Sequence, residues 1–370
     1  MTFVPLYSTF CPAGVGQQVE EVLQSGKIAS GECVVAFEER LRAYLGNPLL
    51  ISTAEMSSSI AMSLYLAGVR PGDEVVACPM ACMATNAPIK NLFAEVRWCD
   101  CDPRTGGMDP GHLEHLLSSR TKAILLFHWA GNPADLNAIY EIAKTHGIAV
   151  IEDASEAFGA EYCGNKLGNT GADYCVFSFY PNRHLTTIEG AAVTFRRAED
   201  FEKARWLRRY GIHSPSFRLS DGEINPQSDI PHAGWNCYMN QVSAVIGVAQ
   251  LETFNARLNA WQSNGRFYDE TLSNTGIVKL LGRQPNSTSA YWVYTFLSTK
   301  RDRLLQYLTR NGIQASKVHL RNDIYSCFGT GKQCLPGVAE FSDHMLSIPC
   351  GWWVTEEQRT WIVELINNFG

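Results

Sequence analysis

The stretch AILLFHWAGNPADLNAIYEIAKTHGIAVI (residues 123–151) has the pattern of a β-α-β unit. Its two apolar runs, at 123–128 and 148–151, are typical of strands buried on both faces of a parallel sheet. Between them, residues 135–146 carry apolar side chains at helical spacing. Because a helix that joins two such strands is the repeating unit of open α/β sheets, the sequence predicts an α/β fold.

Further apolar runs extend this predicted sheet on both sides. Residues 74–77 follow a Pro-Gly turn as a strand would, and further strands are predicted at 96–100, 174–179 and 190–195. After about residue 200 the pattern becomes helical, with a helix predicted at 201–210 and one long helix at 240–264. We predict a large domain at 1–255 with a mainly parallel central sheet, and a smaller C-terminal α+β domain at 256–370.

Composition excludes several classes of protein. The 370 residues are 45% hydrophobic and 18% charged, as in ordinary globular proteins, and the net charge of −6 argues against nucleic-acid binding. No apolar run is long enough to span a membrane, and the N-terminus does not read as a signal peptide. The twelve cysteines are scattered without any C-x₂-C pair, which favours reduced cysteines in a cytoplasmic protein and no metal site.

Asp153 closely follows the apolar run that ends at Ile151. Ligands of open parallel sheets bind beyond the carboxyl ends of the strands, so this carboxylate is placed to meet a cationic group such as a protonated pyridine nitrogen. Asp is also a favoured helix N-cap. Position alone leaves both interpretations open.

A run of serines precedes the helical pattern at 60–67. Ser57 and Ser58 would offer hydroxyls and free backbone N–H groups to an anion such as phosphate, and Ser178, at the end of another apolar run, would add a third hydroxyl. Plain helix capping is the commoner reason for such serines.

The ordered motifs of the chain carry a more specific signal. Residues 150–195 (VIEDASEAFGAEYCGNKLGNTGADYCVFSFYPNRHLTTIEGAAVTF) closely resemble the core of the DegT/DnrJ/StrS family of sugar aminotransferases. The resemblance extends to GVRPGDEVVACP (68–79), GWNCYMNQVSAVIGVAQL (234–251), HLRND (319–323) and LPGVAEFSDHMLSIP (335–349). It implies a type I aminotransferase-like fold and a homodimer with a shared active site.

The resemblance also implies roles for individual residues. Asp153 would pair with the pyridine nitrogen of pyridoxal 5′-phosphate or pyridoxamine 5′-phosphate and keep the ring protonated. Ser57, Ser58 and Ser178 match the phosphate-binding positions of the family. Asn236 of the partner subunit would reach the same phosphate.

The motif around the family's catalytic lysine differs in this chain. Arg183 stands at the lysine position, in Ser178-Phe179-Tyr180-Pro181-Asn182-Arg183. A guanidinium forms no stable Schiff base with the cofactor and does not readily shuttle protons near neutral pH, so ordinary transamination is doubtful. His184 is the nearest acid/base, although adjacent residues of an extended chain point in opposite directions. Arg183 itself would hold a substrate anion, or would pair with Glu156 or Glu189 and be structural.

Two further departures concern the cofactor ring. Cys82 stands where relatives carry an aromatic residue that stacks on the ring, and Glu156 stands where the usual residue is glutamine. The first would remove a stacking contact of about 1 kcal/mol. The second would place another carboxylate near Asp153 and favour a cationic ring or ligand.

Three functions follow from this resemblance and its departures. The first is an enzyme of amino- or deoxy-sugar biosynthesis that uses the cofactor without a lysine linkage, as sugar dehydratases of the family do. Its substrate would be a nucleotide-linked or otherwise activated keto-sugar. The second is a sugar aminotransferase with residual transamination, and the third is a catalytically silent homologue that acts as a binding subunit.

Overall fold

A seven-stranded sheet forms the centre of the protein in this computed structural model, which describes residues 3–272, 276–329 and 333–369. The ends of the two predicted domains, at Met1 and Gly370, lie outside the described residues. The strands of the sheet are β1 (Leu50–Thr53), β2 (Glu74–Ala77), β3 (Glu95–Trp98), β4 (Thr121–Phe127), β5 (Ala149–Asp153), β8 (Tyr174–Ser178) and β9 (Ala191–Phe195). Between β5 and β8 the chain forms the short hairpin of β6 (Glu161–Tyr162) and β7 (Asn165–Lys166).

The strand order of the sheet is β1-β9-β8-β5-β4-β2-β3. β9 pairs antiparallel with both of its neighbours, and the other described pairs are parallel. The prediction of a mainly parallel sheet is therefore confirmed. Because β1 runs in the same direction as β5 and β8, the carboxyl ends of these three strands lie at one edge of the sheet.

Ten helices lie in this part of the described chain, and apolar residues of most of them form the core with the strands of the sheet. In chain order they are α1 (Val15–Gln24), α2 (Glu32–Leu45), α3 (Met56–Leu66), α4 (Met83–Asn91), α5 (Pro110–Leu116), α6 (Leu136–His146), α7 (Ala198–Leu207), α8 (Ser214–Phe217), α9 (Gln241–Glu252) and α10 (Phe254–Leu272). The helix predicted at 135–146 is α6, which has Asp135 as its N-cap and Gly147, in the left-handed conformation, at its end.

The prediction of a single long helix at 240–264 was wrong, because α9 ends at Glu252 and α10 begins at Phe254. Thr253 has non-helical backbone angles (φ −113°, ψ 9°). Arg257 donates to the carbonyl oxygen of Gln250 at 3.0 Å and to the Thr253 hydroxyl at 2.6 Å. The first of these bonds gives a partner to a carbonyl oxygen in the last turn of α9, and no proline or glycine stands between the two helices.

The C-terminal part contains a second, smaller core. The remaining elements are β10 (Lys279–Leu280), β11 (Ser287–Thr288), β12 (Tyr294–Leu297), α11 (Arg301–Arg310), α12 (Pro336–His344), β13 (Met345–Ile348) and α13 (Glu356–Asn367). The sheet of this part has the antiparallel order β10-β12-β13, and β11 instead joins the β6–β7 hairpin. Since α10 crosses the predicted boundary and contributes to this second core, the division at 255/256 stays a prediction.

No helix in the described ranges is long and apolar enough to cross a bilayer. All twelve cysteines lie within those ranges and are free thiols, but only six are buried.

Candidate active site

The candidate site lies at the carboxyl edge of the sheet. β5 ends at Asp153, β8 ends at Ser178, and the residues after β1 lead into the N-terminus of α3. β5 and β8 are adjacent parallel strands, so Asp153 and Ser178 project from the same edge. Sequence positions more than 100 residues apart are thereby collected into one crevice.

Asp153 is completely buried, and each of its two side-chain oxygens accepts a hydrogen bond. Thr85, in α4, donates its hydroxyl to Oδ2 at 2.6 Å, and the N–H of Ser155 donates to Oδ1 at 2.9 Å. Asp153 forms no ion pair with any residue of the described ranges. Because an isolated buried carboxylate is costly, a cationic ligand group at Asp153 would offset that cost.

Glu156 is the centre of a second buried polar cluster. Its Oε1 lies 3.1 Å from Nη1 of Arg183 and 2.7 Å from Nε2 of His319, and its Oε2 accepts the N–H of Ala130 at 2.9 Å. Burial alone would raise the pKa of Glu156, but the contacts with His319 and Arg183 outweigh it and lower the pKa. Of the two pairings considered for Arg183, the structure shows the one with Glu156.

Aromatic rings hold this cluster in place. The guanidinium carbon of Arg183 lies 4.5 Å from the ring centroid of Trp292, on which the imidazole of His319 also stacks at 5.9 Å. Tyr7 stacks on Trp292 at 4.9 Å. Burial, and then the charge of Glu156, raise the pKa of the Tyr7 hydroxyl, which therefore stays neutral. Arg183 is thus fixed by an ion pair and a cation–π contact, although its buried Nε has no hydrogen-bond partner.

His184 is directed into the core, as its position next to Arg183 implies. Its Nε2 lies 2.9 Å from the carbonyl oxygen of Ala290, and its ring packs 4.7 Å from Trp261. Burial lowers the pKa of His184 to about 4, so the imidazole is neutral near pH 7. The catalytic role considered for His184 stays a prediction, and these contacts do not favour it.

The N-terminus of α3 holds an anion supplied by the chain itself. One carboxylate oxygen of Glu55 accepts the N–H of Ser57 and the other accepts the N–H of Ser58, each at 2.6 Å. Both serines are half-buried. The two N–H groups predicted to bind a phosphate therefore do point towards a common acceptor. In this structure that acceptor is the carboxylate of Glu55.

The other predicted site residues lie around the crevice. Ser178 is buried and its hydroxyl lies 3.4 Å from the N–H of Tyr180. Cys82, the N-cap of α4, is half-buried, and burial raises the pKa of its thiol. Asn236 is exposed and forms a β-bridge with Arg209, so its predicted contact across a dimer stays a prediction.

Several residues of the site were missed by the sequence analysis. They are Tyr7, Glu55, Thr85, Trp292 and His319. His319 lies in the HLRND motif that carries part of the family resemblance, and Glu55 lies two residues before Ser57. The sequence therefore contained a pattern that could have indicated both residues. It contains no pattern that marks Tyr7, Thr85 or Trp292 as site residues.

These residues fit a pyridinium ring bearing a phosphate. The buried carboxylate of Asp153 suits the ring nitrogen, and the carboxylate of Glu55 on the α3 amides is a stand-in for a phosphate oxygen. No group of three or more His, Cys, Asp or Glu side chains in the described part of the chain is arranged to hold a metal ion.

The mainly parallel sheet, with Asp153 at the end of its central strand, defines a type I aminotransferase-like fold. Residues 14–367 match the DegT/DnrJ/EryC1/StrS aminotransferase family. The chain belongs to this family, as its motifs predicted.

Individual relatives support the assignment. The chain is 32% identical to a GDP-perosamine synthase of Caulobacter vibrioides, over 86% of this chain and 85% of that protein. Among solved structures it is similar to AtS13 from Actinomadura melliaura, with 34% identity, a TM-score of 0.95 and full coverage of both chains. The sugar aminotransferase CalS13 from Micromonospora echinospora shares 31% identity with a TM-score of 0.94, over 99% of this chain and 100% of CalS13.

Proposed function

We propose that this chain is an enzyme of amino- or deoxy-sugar biosynthesis that binds pyridoxal or pyridoxamine 5′-phosphate without a covalent bond to a lysine. Its substrate is a nucleotide-linked or otherwise activated keto-sugar. Following the family, the proposed enzyme is a cytoplasmic homodimer in which Asn236 of the partner subunit completes the phosphate site. When bound, the cofactor supplies an electron sink for reactions next to the sugar carbonyl.

The observation that carries this proposal is the buried carboxylate of Asp153, which forms no ion pair within the described part of the chain. Thr85 and Ser155 orient its two oxygens, and neither neutralises the charge. A silent scaffold would gain no stability from such a group, since an unpaired buried charge costs several kcal/mol. A protonated pyridine nitrogen at Asp153 would supply the missing positive charge.

Arg183 supports the lysine-free form of the proposal. Its guanidinium is fixed between Glu156 and Trp292, so it does not approach the cofactor as a flexible amine would. In this role Arg183 orients the carboxylate of Glu156 and keeps it ionised. The positive charge of Arg183 is therefore balanced by Glu156, although residue 183 carries no amine.

His319 is the proposed acid/base of the pocket. Its Nε2 is bonded to Glu156 Oε1, and its side chain is 19% exposed. The carboxylate of Glu156 on one ring nitrogen orients the imidazole, and an oriented, partly exposed histidine is a common general acid/base. We assign this role to His319 rather than to Arg183, which is held by Glu156 and Trp292, or to His184, which is buried.

A binding titration tests the proposal. The purified protein is titrated separately with pyridoxal 5′-phosphate and pyridoxamine 5′-phosphate, then reduced with borohydride and weighed by mass spectrometry. We expect binding of pyridoxamine 5′-phosphate and no covalent adduct. An adduct would show that another lysine has replaced the missing one and would support ordinary transamination, whereas binding of neither form would support a silent binding subunit.

A further inference from the structure

We propose that Glu55 is a displaceable internal occupant of the cofactor's phosphate site, and that it makes the cofactor a diffusible co-reactant rather than a permanently held group. This inference rests on the proposed function and concerns the same pocket. It gives Glu55 the role of a residue that sets the affinity of the site for phosphorylated ligands.

The geometry of Glu55 is that of a bound anion. Its two carboxylate oxygens each accept one α3 amide at 2.6 Å, so both oxygens and both amides are used. Glu is not among the residues preferred as helix N-caps, which are Ser, Thr, Asp and Asn. A phosphate on the same amides must take the place of this carboxylate, because each N–H points to one acceptor.

The surroundings of Glu55 allow this displacement. The side chain is only partly buried and forms no ion pair with any residue in the described ranges, so it is held by the amides and the helix dipole alone. Burial and the charge of Glu55 together raise the pKa of Glu189. A phosphate that entered with Glu55 still in place would add further negative charge to this region, so Glu55 must turn towards solvent.

Arg183 explains why displacement of Glu55 would matter. A cofactor bonded to a lysine remains in the pocket between turnovers. With arginine there, the cofactor is free to leave and return, and each departure would expose the α3 amides. Glu55 satisfies these donors when the site is empty, since the first N–H groups of a helix have no acceptor within the helix itself. Arg183 and Glu55 therefore both favour exchange of the cofactor between the pocket and solvent.

The test compares pyridoxamine 5′-phosphate with pyridoxamine, which lacks the phosphate. Calorimetric titrations are made on the wild type, Glu55→Ala and Glu55→Gln. Glu189→Gln is the matched control because it removes a nearby negative charge without freeing the α3 amides. We expect Glu55→Ala to bind pyridoxamine 5′-phosphate about tenfold to a hundredfold more tightly, since the phosphate regains two charge-assisted hydrogen bonds without competition.

The controls separate direct occupancy from other effects. Pyridoxamine should bind the wild type and Glu55→Ala alike, and Glu189→Gln should change the affinity for pyridoxamine 5′-phosphate much less than Glu55→Ala does. Glu55→Gln keeps the helix cap but weakens the competing acceptor, so its effect should fall between those of the wild type and Glu55→Ala. The unfolding midpoint of each variant shows whether α3 remains folded.

The possible outcomes distinguish this inference from the proposed function. Equal, tight binding of pyridoxamine 5′-phosphate to the wild type and Glu55→Ala would overturn the role of Glu55 and leave the proposed function intact. Binding only after Glu55→Ala would show that Glu55 occupies the amides but is not displaced by the cofactor, which overturns its role in exchange and contradicts a cofactor-dependent wild type. Binding by no variant would overturn both, because opening the amides had not created a phosphate site.

Discussion

Nη1 of Arg183 lies 3.1 Å from Oε1 of Glu156, and both side chains are buried. The family resemblance implies that Arg183 stands at the position of the catalytic lysine and Glu156 at that of a glutamine. The two side chains are in direct contact, so the carboxylate of Glu156 compensates the positive charge of the buried guanidinium. We interpret the two departures from the family motif as one coupled change, in which a fixed ion pair replaces a reactive amine.

Glu156→Gln should strongly destabilise the protein. It leaves the guanidinium of Arg183 buried without a counter-charge, which costs about 3–5 kcal/mol. Urea unfolding measures the change in free energy. Arg183→Met should cost less, because His319 and the N–H of Ala130 still contact Glu156.

The exposed pair Arg40–Glu252 provides the matched control for this prediction. Glu252→Gln should change the free energy of unfolding by less than about 1 kcal/mol, because exposed ion pairs contribute little. Equal effects of Glu156→Gln and Glu252→Gln would show that the buried pair is not a stabilising unit.

Arg183→Lys should restore covalent attachment of pyridoxal 5′-phosphate. The variant supplies a primary amine at the family's lysine position, and the amine is nucleophilic when unprotonated. Borohydride reduction followed by mass spectrometry should detect one cofactor per chain, with Arg183→Met and the wild type as unmodified controls. If Arg183→Lys binds the cofactor but gives no adduct, the alignment that places residue 183 at the lysine position is wrong.

Asp153→Asn should weaken the binding of pyridoxamine 5′-phosphate about tenfold to a hundredfold, since a charge-assisted hydrogen bond to the ring nitrogen contributes about 1.5–3 kcal/mol. Asn has nearly the same shape and still accepts the Thr85 hydroxyl. The exposed Asp221→Asn variant controls for the change in net charge. Unchanged affinity in Asp153→Asn would remove the main support for a cationic ligand at this position.

His184 should make the stability of the protein depend on pH between about 6.5 and 4. Burial lowers the pKa of His184 to about 4, so the unfolded chain binds this proton at a higher pH than the folded protein does. Stability should therefore fall as the pH falls through this window, by up to about 3 kcal/mol from this residue.

His184→Gln tests this pH dependence, because glutamine can still donate to the carbonyl oxygen of Ala290 and does not titrate. The free energy of unfolding should change less steeply between pH 6.5 and pH 4 in this variant than in the wild type. His115→Gln, at an exposed histidine, should leave the slope unaltered. An unchanged slope in His184→Gln would show that this imidazole is not the buried neutral group.

The strands were predicted well because their signal is local. The apolar runs at 123–128 and 148–151 correspond to β4 and β5, whose side chains are nearly all buried. The break at Thr253 was not predicted, because the residues from 240 to 264 have helical character throughout and contain no proline. The backbone of Thr253 leaves the helical conformation, and Arg257 bonds to residues on the preceding side of this break, contacts that a periodicity analysis does not detect.

The site was predicted where a strand end or a motif marks it. Asp153 and Ser178 followed from their positions after buried strands, and Arg183 from its place in the family motif. The pairing of Glu156 with His319 joins residues 163 positions apart, and no local pattern relates them. Glu55 was not predicted as a site residue, because a carboxylate before a run of serines is also typical of an ordinary helix N-terminus.

The sequence by itself determined the α/β class and the family, and it predicts the absence of the catalytic lysine, since each depends on residue identity and short-range spacing. Only the tertiary structure decided which charged and polar side chains are in contact. It paired Arg183 with Glu156, directed His184 into the core and placed the carboxylate of Glu55 on the amides of α3. The physical reason is that hydrogen bonds and ion pairs act over about 3 Å, and folding alone brings distant parts of the chain to that distance.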